Sequence, residues 1–286
     1  MNGVGNSIDA TSFGNRILTA SLTMGSHTIQ GGQNSAFTRD IAVPYQADGS
    51  NVVGNLVGND YVITGRNVAA NYIYAQGPLT AAVGVTSNTK QKDGVADVQT
   101  GSGYQAKARY AGNVWSVAGA YSQADTDNGA TGNTTAPSSS TSTQLISPVV
   151  TLGATTTRTK TTVTVMAADY DLTVAKLFAE YGKVEVKETN AGSTVNNRHA
   201  TSVGVRVPFG KAWAFAQYSD GNQQALNGGT TGAYSGKWTG YSVGARYEFS
   251  KRTYAYLVDG QSEYKYNAAG DKLKANQYGL GLVHNF

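Results

Sequence analysis

Isolated basic residues inside runs of small or apolar residues are the best candidates for functional side chains in this sequence. Lys107 and Arg109 alternate with alanine and tyrosine, Arg206 lies between two valines, and Arg246 lies between an alanine and a tyrosine. Arg66 stands at the outer end of a further alternating run. Arginine keeps its charge, and its planar fork matches carboxylate and phosphate groups. The five residues are predicted to line a polar surface that attracts anions, unless a local acid pairs with each of them.

Patterns for catalysis or metal binding are weak by comparison. The chain has no cysteine, which excludes thiol catalysis, disulfides and thiolate metal sites. Its three histidines, His27, His199 and His284, have no acid or second histidine at ligand spacing on the same strand face. His199 and Ser202 are the one vague hydrolytic pair, and they have opposite parity along a strand. We expect no enzyme, metal or cofactor, with a lipid hydrolase as the minor alternative.

The elements that position the basic residues are predicted to be strands with two unlike faces. Over residues 240–249, apolar positions alternate with glycine, serine and charged residues, which is the period of a strand. The aromatic positions form too continuous an apolar row to face water. The residues at the alternate positions are too small and polar to form a hydrophobic core. A closed sheet in a bilayer satisfies both, because lipid covers the apolar parity and water fills the interior. The predicted fold is all-β, an antiparallel transmembrane β-barrel whose lumen is lined by the five basic residues.

Aromatic residues near the strand ends are predicted to form girdles at the membrane surfaces, on the outside of the barrel. These residues are Tyr72, Tyr74, Tyr110, Tyr121, Tyr170, Tyr181, Tyr241, Tyr247, Tyr254, Tyr256, Tyr278 and Phe286. Val243 shares the outward parity, so an arginine there should be costly. Gly244 has the lumen parity and is expected to accept an arginine.

Composition and loop rhythm are typical of one barrel domain over residues 1–286. Only 14% of the residues are charged, against about 25% in soluble domains, and no run reaches the ~18 apolar residues of a membrane helix. Short turns alternate with long loops, and the longest loop, residues 125–156, is predicted to be flexible and external. The net charge of +4 favours a mild anion preference. The chain's first residues show no signal-peptide pattern.

The closing residues resemble a known family. The run Tyr278, Leu280, Leu282, His284 and Phe286 resembles the carboxyl-terminal strand of Gram-negative outer-membrane porins, and is most similar to the general porins of beta-proteobacteria. The resemblance implies that this run is an assembly signal. It also implies a homotrimer in the outer membrane, touching membrane lipid and lipopolysaccharide, that passes small hydrophilic solutes by passive diffusion and binds no nucleic acid. A structural or adhesive barrel with a plugged lumen is an open alternative.

Counting strands back from the carboxyl terminus predicts an incomplete family barrel. About 13 strands are visible, whereas bacterial single-chain barrels have an even number and general porins have ~16. The resemblance then implies that the first three strands are missing, that residues 1–14 end an external loop and that residues 34–64 form the constriction loop inside the lumen. The charged residues assigned to that loop, expected to face the lumen bases across a narrow passage, are Arg39, Asp40, Asp48 and Asp60. Alternatively, residues 16–33 form no hairpin and the barrel is smaller.

Overall fold

The computed structural model describes residues 18–47, 66–86, 89–93, 96–127, 158–188, 194–227, 230–231, 235–267 and 272–284. Its strands are β1 (Leu18–Met24), β2 (His27–Ser35), β3 (Arg66–Gln76), β4 (Leu79–Thr86), β5 (Thr89–Asp93), β6 (Ala96–Ala111), β7 (Trp115–Asp127), β8 (Arg158–Asp171), β9 (Lys176–Glu188), β10 (Thr194–Phe209), β11 (Ala212–Asn227), β12 (Thr230–Thr231), β13 (Gly236–Glu248), β14 (Thr253–Tyr266) and β15 (Lys272–His284). The helix α1 (Phe37–Ala42) and a 3-10 turn (Val43–Tyr45) follow β2. Among the described residues, no helix is long and apolar enough to cross a membrane.

One antiparallel sheet contains thirteen of these strands in chain order, with β1 and β15 at the two ends of that order. The short strands β5 and β12 pair only with β6 and β11, beside this path. Leu18 lies opposite Gln33 and Met24 opposite His27, so β1 and β2 form a hairpin within the sheet. The predicted strand number and antiparallel class are confirmed, and the alternative without a hairpin at residues 16–33 is wrong. The larger strand number of the family stays a prediction.

The two faces of the sheet differ chemically. We call the face covered by α1 the inner face and the opposite one the outer face. Along β15, Tyr278, Leu280 and Leu282 are 86%, 81% and 68% exposed on the outer face, while the residues between them are the inner-face glycines Gly279 and Gly281. Removing a leucine side chain from water is worth about 1.5–3 kcal/mol. The outer face is therefore suited to hydrocarbon, as the alternation predicts.

Tight turns join successive strands at one edge of the sheet. In the turns after β1 and β3, Gly25 and Gly77 adopt φ angles of 59° and 55°, the left-handed region that short hairpins require. The turn after β8 uses Thr173 at a φ of 72°, and Oδ1 of Asp171 accepts a hydrogen bond from the Thr173 amide at 2.7 Å. This local bond supports a conformation that is unfavourable for a β-branched residue.

Residues 36–47, which we call the inward segment, leave the sheet after β2 and lie on its inner face. The helix α1 contacts β6, β7 and β8. Phe37, Ile41, Ala42 and Tyr45 are almost inaccessible to solvent. A helix of six residues is unstable alone, so its packing against the sheet holds it in place. Within the predicted constriction loop of residues 34–64, the first two residues belong to β2 and the inward segment follows them.

Two predicted loops fall largely outside the described residues. Residues 1–14 lie outside them entirely. Of the predicted external loop at residues 125–156, β7 takes the residues up to Asp127, and the structure describes nothing more before β8 begins at Arg158. The flexible, external character of that loop stays a prediction.

Candidate functional site on the inner face

An apolar seat on the inner face holds the inward segment. Phe37, Ile41 and Tyr45 belong to one buried cluster with Val163 and Val165 of β8 and with alanines of β7. In a water-filled barrel this parity should be small and polar. The two valines are nonetheless inaccessible to solvent, because the segment covers them. Two valines at inward-facing positions of a strand are the sign in the sequence that another segment covers this part of the wall.

Hydrogen bonds from the wall fix the beginning and the middle of the inward segment. The Phe37 amide donates to Oε1 of Gln105 on β6 at 3.1 Å. The Tyr45 hydroxyl lies 2.8 Å from Oγ of Ser116 on β7. The Ser116 hydroxyl in turn donates a hydrogen bond to Oδ2 of Asp169 on β8 at 2.6 Å. These bonds are directional. They give the segment one position along the wall, which apolar packing alone does not specify.

A second anchor at the end of the segment uses one of the predicted lumen bases. Nε of Arg206 donates to the carbonyl oxygen of Ala47 at 2.9 Å, and Nη2 donates to that of Gln46 at 3.1 Å. The Ala47 amide donates to Oε1 of Gln217 at 3.0 Å. A Cβ atom at position 204 would lie 2.6 Å from Cβ of Ala47, so Gly204 permits this close approach. The Arg206 guanidinium therefore ties the segment to β10.

Lys107 and Asp40 form an ion pair on the inner face. Nζ of Lys107 lies 2.7 Å from Oδ2 of Asp40 and 4.5 Å from the centre of the Phe37 ring. Arg39, the preceding residue of α1, is half-buried. The acids of the segment were expected to face bases across the lumen. Asp40 instead contacts a base on the wall that carries the segment, because α1 packs directly against β6.

The other predicted charges have different surroundings. Arg109 is exposed on the inner face, with its guanidinium carbon 6.0 Å from the centre of the Tyr45 ring. Arg246 forms an ion pair with Glu248 at 3.2 Å, and its guanidinium carbon lies 3.5 Å from the centre of the Tyr254 ring. Outside the described part of the chain are Asp48, Asp60 and the side chain of Arg66, whose backbone begins β3.

Aromatic residues occupy both faces of the sheet. Those exposed on the outer face, where girdle residues belong, are Tyr72, Tyr110, Tyr170, Tyr241, Tyr247 and Tyr278. Half-buried on the same face are Tyr74, Tyr121 and Tyr181. The prediction is wrong for Tyr254 and Tyr256, which lie on the inner face beside Arg246 and Val258. The outer parity of β14 is that of Leu257, which is 58% exposed.

The two tyrosines belong to a lumen belt of aromatic and basic side chains across β9 to β14. Its members are Phe178, Arg206, Trp213, Phe215, Arg246, Tyr254 and Tyr256. The guanidinium carbons of Arg206 and Arg246 lie 4.5 and 5.8 Å from the centre of the Trp213 ring, one on each neighbouring strand. This belt was not predicted from the sequence, because the alternation of the strands assigned aromatic residues to the lipid-facing side.

Gly244 lies beneath the belt and corrects another expectation. A Cβ atom at this position would come within 2.5 Å of both the Phe215 ring and the carbonyl oxygen of Leu257. An arginine at position 244 would therefore displace Phe215 from its place in the belt. The expectation that Gly244 accepts an arginine is wrong, because the lumen parity is occupied by a ring at this level.

The carboxyl-terminal strand presents its predicted signal residues to the outside. Tyr278, Leu280, Leu282 and His284 lie on the outer face of β15. At the turn edge, Nδ1 of His284 lies 2.8 Å from Oγ1 of Thr253 on β14. Phe286 is outside the described residues.

The vague hydrolytic pair is not assembled. His199 is on the outer face of β10, with its ring centre 6.4 Å from that of Tyr181. Ser202 is buried on the inner face, where its hydroxyl lies 2.7 Å from that of Ser219. The sheet separates the two side chains, so they share no site.

An antiparallel sheet with an apolar outer face, a partly polar inner face and an inward segment anchored at both ends defines the class of outer-membrane β-barrel channels. The family model for Gram-negative porins matches residues 9–268, and the chain belongs to this family. Among curated proteins, no sequence matches this chain.

Solved structures share the fold. OmpT, an outer membrane protein of Vibrio cholerae, is 16% identical at a TM-score of 0.66, covering 92% of this chain and 78% of that one. A trimer form of the same protein gives 14% identity and a TM-score of 0.62 with coverage of 92% and 78%. Salmonella typhi OmpF in complex with daunomycin gives 17% identity and a TM-score of 0.59 with coverage of 94% and 78%. The fold is that of a porin-type β-barrel.

Proposed function

We propose that the chain forms a water-filled channel in the outer membrane for passive diffusion of small hydrophilic solutes and ions. The observation that carries this proposal is the course of the inward segment, which follows the wall from β6 to β11 and is bound to it along its length. A segment that lies along one side narrows a lumen without filling it. Residues 34–64 are accordingly proposed as the constriction loop, in an open channel without enzymatic activity.

We propose in addition a mild preference for anions. Asp40 and Glu248 pair with Lys107 and Arg246, so these two pairs contribute little net charge. Arg109 is exposed beside an aromatic ring. Positive charge in a narrow, water-filled passage with low-dielectric walls raises the local concentration of anions.

Planar-bilayer recording under a KCl gradient tests both proposals. Open-channel steps are expected, with a reversal potential on the anion side. Arg109→Glu is expected to lower the chloride-to-potassium permeability ratio by about twofold to tenfold, because the exposed base becomes an acid. Arg252→Glu is the matched control, because Arg252 is exposed in the turn between β13 and β14.

Two outcomes contradict these proposals. If the refolded wild-type protein gave no conductance steps, the proposed channel function would be wrong. An equal shift in both variants would show that overall surface charge, and not the lumen position of Arg109, sets selectivity.

We also propose that the channel is a homotrimer in contact with membrane lipid and lipopolysaccharide. The trimer form of Vibrio cholerae OmpT supports the oligomer. Apolar residues on the outer face support lipid contact, and Lys272 and Lys274, which pair with Glu263 at the loop edge, suit phosphate groups. Light scattering from the detergent-solubilised protein should give three times the monomer mass. The run that we propose as the assembly signal is Tyr278, Leu280, Leu282, His284 and Phe286.

A further inference from the structure

We propose that the lumen belt binds planar aromatic carboxylates as they pass through the channel. This inference rests on the proposed channel function and adds a class of solute to it. The belt alternates rings and positive charges across five neighbouring wall strands, in the order Phe178, Arg206, Trp213, Arg246 and Tyr254. A solute with one flat apolar part and one negative group matches both features.

The rings of the belt form a floor and an accessible layer. Phe178 and Phe215 are 5% and 6% exposed and pack with Val258, so they form the floor. Trp213, Tyr254 and Tyr256 are only half-buried and present ring surface to the interior. Apolar surface left in water is unfavourable. A flat solute that covers these rings gains the apolar contact that water does not provide.

Part of this ring surface has a purely structural use. A Cβ atom at Gly281 would lie 2.5 Å from the ring of Tyr256, so one face of that ring covers the glycine backbone. Trp213 has no such role towards a glycine in the contacts described, and its ring lies between two arginines instead. Trp213 is therefore the ring whose placement is best explained by a solute.

The charges of the belt favour anions among flat solutes. Arg206 and Arg246 flank Trp213, and Nζ of Lys176 lies 5.4 Å from the centre of the Phe178 ring. Lys176 also lies 3.1 Å from Asp169, and Arg246 lies 3.2 Å from Glu248. The guanidinium group of an arginine is planar and matches a carboxylate, and those of Arg206 and Arg246 carry positive charge beside the Trp213 ring while they hold the inward segment and Glu248. A flat cation would meet the same arginines and be repelled.

The belt also lies at the narrow level of the channel. Ala47, the last described residue of the inward segment, belongs to the same buried cluster as Phe178, Phe215 and Val258. Arg206 is a member of the belt and binds the backbone of that segment. Solutes that pass the constriction therefore pass beside the belt.

Current block by 2-naphthoate in planar bilayers tests the inference. Binding in the lumen should interrupt the KCl current at concentrations about tenfold below those needed for cyclohexanecarboxylate, which has the same charge and no aromatic face. Trp213→Leu and Arg246→Gln should each raise the half-blocking concentration of 2-naphthoate by about three- to tenfold. Tyr218→Leu is the matched control, because Tyr218 is on the same strand as Trp213 but exposed on the outer face.

Equilibrium dialysis of 2-naphthoate against the folded protein in detergent separates this inference from the channel function. If 2-naphthoate binds and its binding weakens in Trp213→Leu while no conductance is measured, the binding site is supported and only the proposed channel function is contradicted. If the protein conducts but 2-naphthoate and cyclohexanecarboxylate block the current at equal concentrations, the lumen belt is not a site for aromatic carboxylates, and the channel function still stands. Equal weakening in Tyr218→Leu and Trp213→Leu would also overturn it, because the effect would not come from the lumen.

Discussion

The Arg206→Met variant is expected to give a channel with higher and noisier single-channel conductance than the wild-type protein. Methionine has a comparable length but cannot donate the two hydrogen bonds that Arg206 makes to Gln46 and Ala47. Charge-assisted bonds of this kind contribute about 1.5–3 kcal/mol each. Gln46 and Ala47 are inaccessible to solvent, so no water replaces the lost donor. The end of the inward segment should detach, and single-channel recording in planar bilayers measures the result.

Arg246→Met is the matched control for this anchor. It removes the same charge from the same belt, but within the described part of the chain its contacts are with Glu248 and the rings of Tyr254 and Trp213, and not with residues 36–47. It should change ion selectivity while the noise stays at the wild-type level. Gln217→Leu, which removes one neutral bond to the Ala47 amide, should have a smaller effect than Arg206→Met. If Arg206→Met and Arg246→Met gave the same conductance and noise, the anchor would be excluded.

The outer wall could be predicted from the sequence because its rule is local. In β15, each outward residue differs in type from its immediate neighbours, and Leu280 and Leu282 are exposed as the alternation requires. The hairpin between β1 and β2 is likewise set by a few residues around Gly25. The side-chain period of a strand is two, so no distant contact is needed to assign the faces.

The inner face could not be predicted in the same way, because its contacts are distant along the chain. Arg206 binds the carbonyl of Gln46, which is 160 residues away. Tyr256 lies opposite Gly281 on the neighbouring strand β15, and the missing side chain of that glycine leaves room for its ring. Aromatic type alone therefore did not decide the face of β14. The two inner valines of β8 were the available sign that the lumen wall carries an apolar seat.

The Val203→Arg variant is expected to lower the free energy of unfolding by about 2–4 kcal/mol, if this position lies near the middle of the bilayer. Val203 is 51% exposed on the outer face of β10. Its partners on the neighbouring strands are Ala179 and Tyr218, so no acid stands directly beside it to pair with the new charge. The arginine must therefore enter the hydrocarbon or draw water into it. Urea unfolding in lipid vesicles measures the loss.

Two control variants show how much of the loss of stability in Val203→Arg comes from a charge in the hydrocarbon. One control removes the valine without adding a charge, and the other adds an arginine on the inner face. Val203→Ala removes most of the side chain without adding charge and should cost less, because the remaining surface still suits lipid. Gln30→Arg places an arginine on the inner face of β2, where the half-buried glutamine contacts Asn71 at 3.5 Å and water is expected to solvate the charge. Equal destabilisation by Val203→Arg and Gln30→Arg would contradict the two-faced wall, because lipid and water would then have to lie on both sides alike.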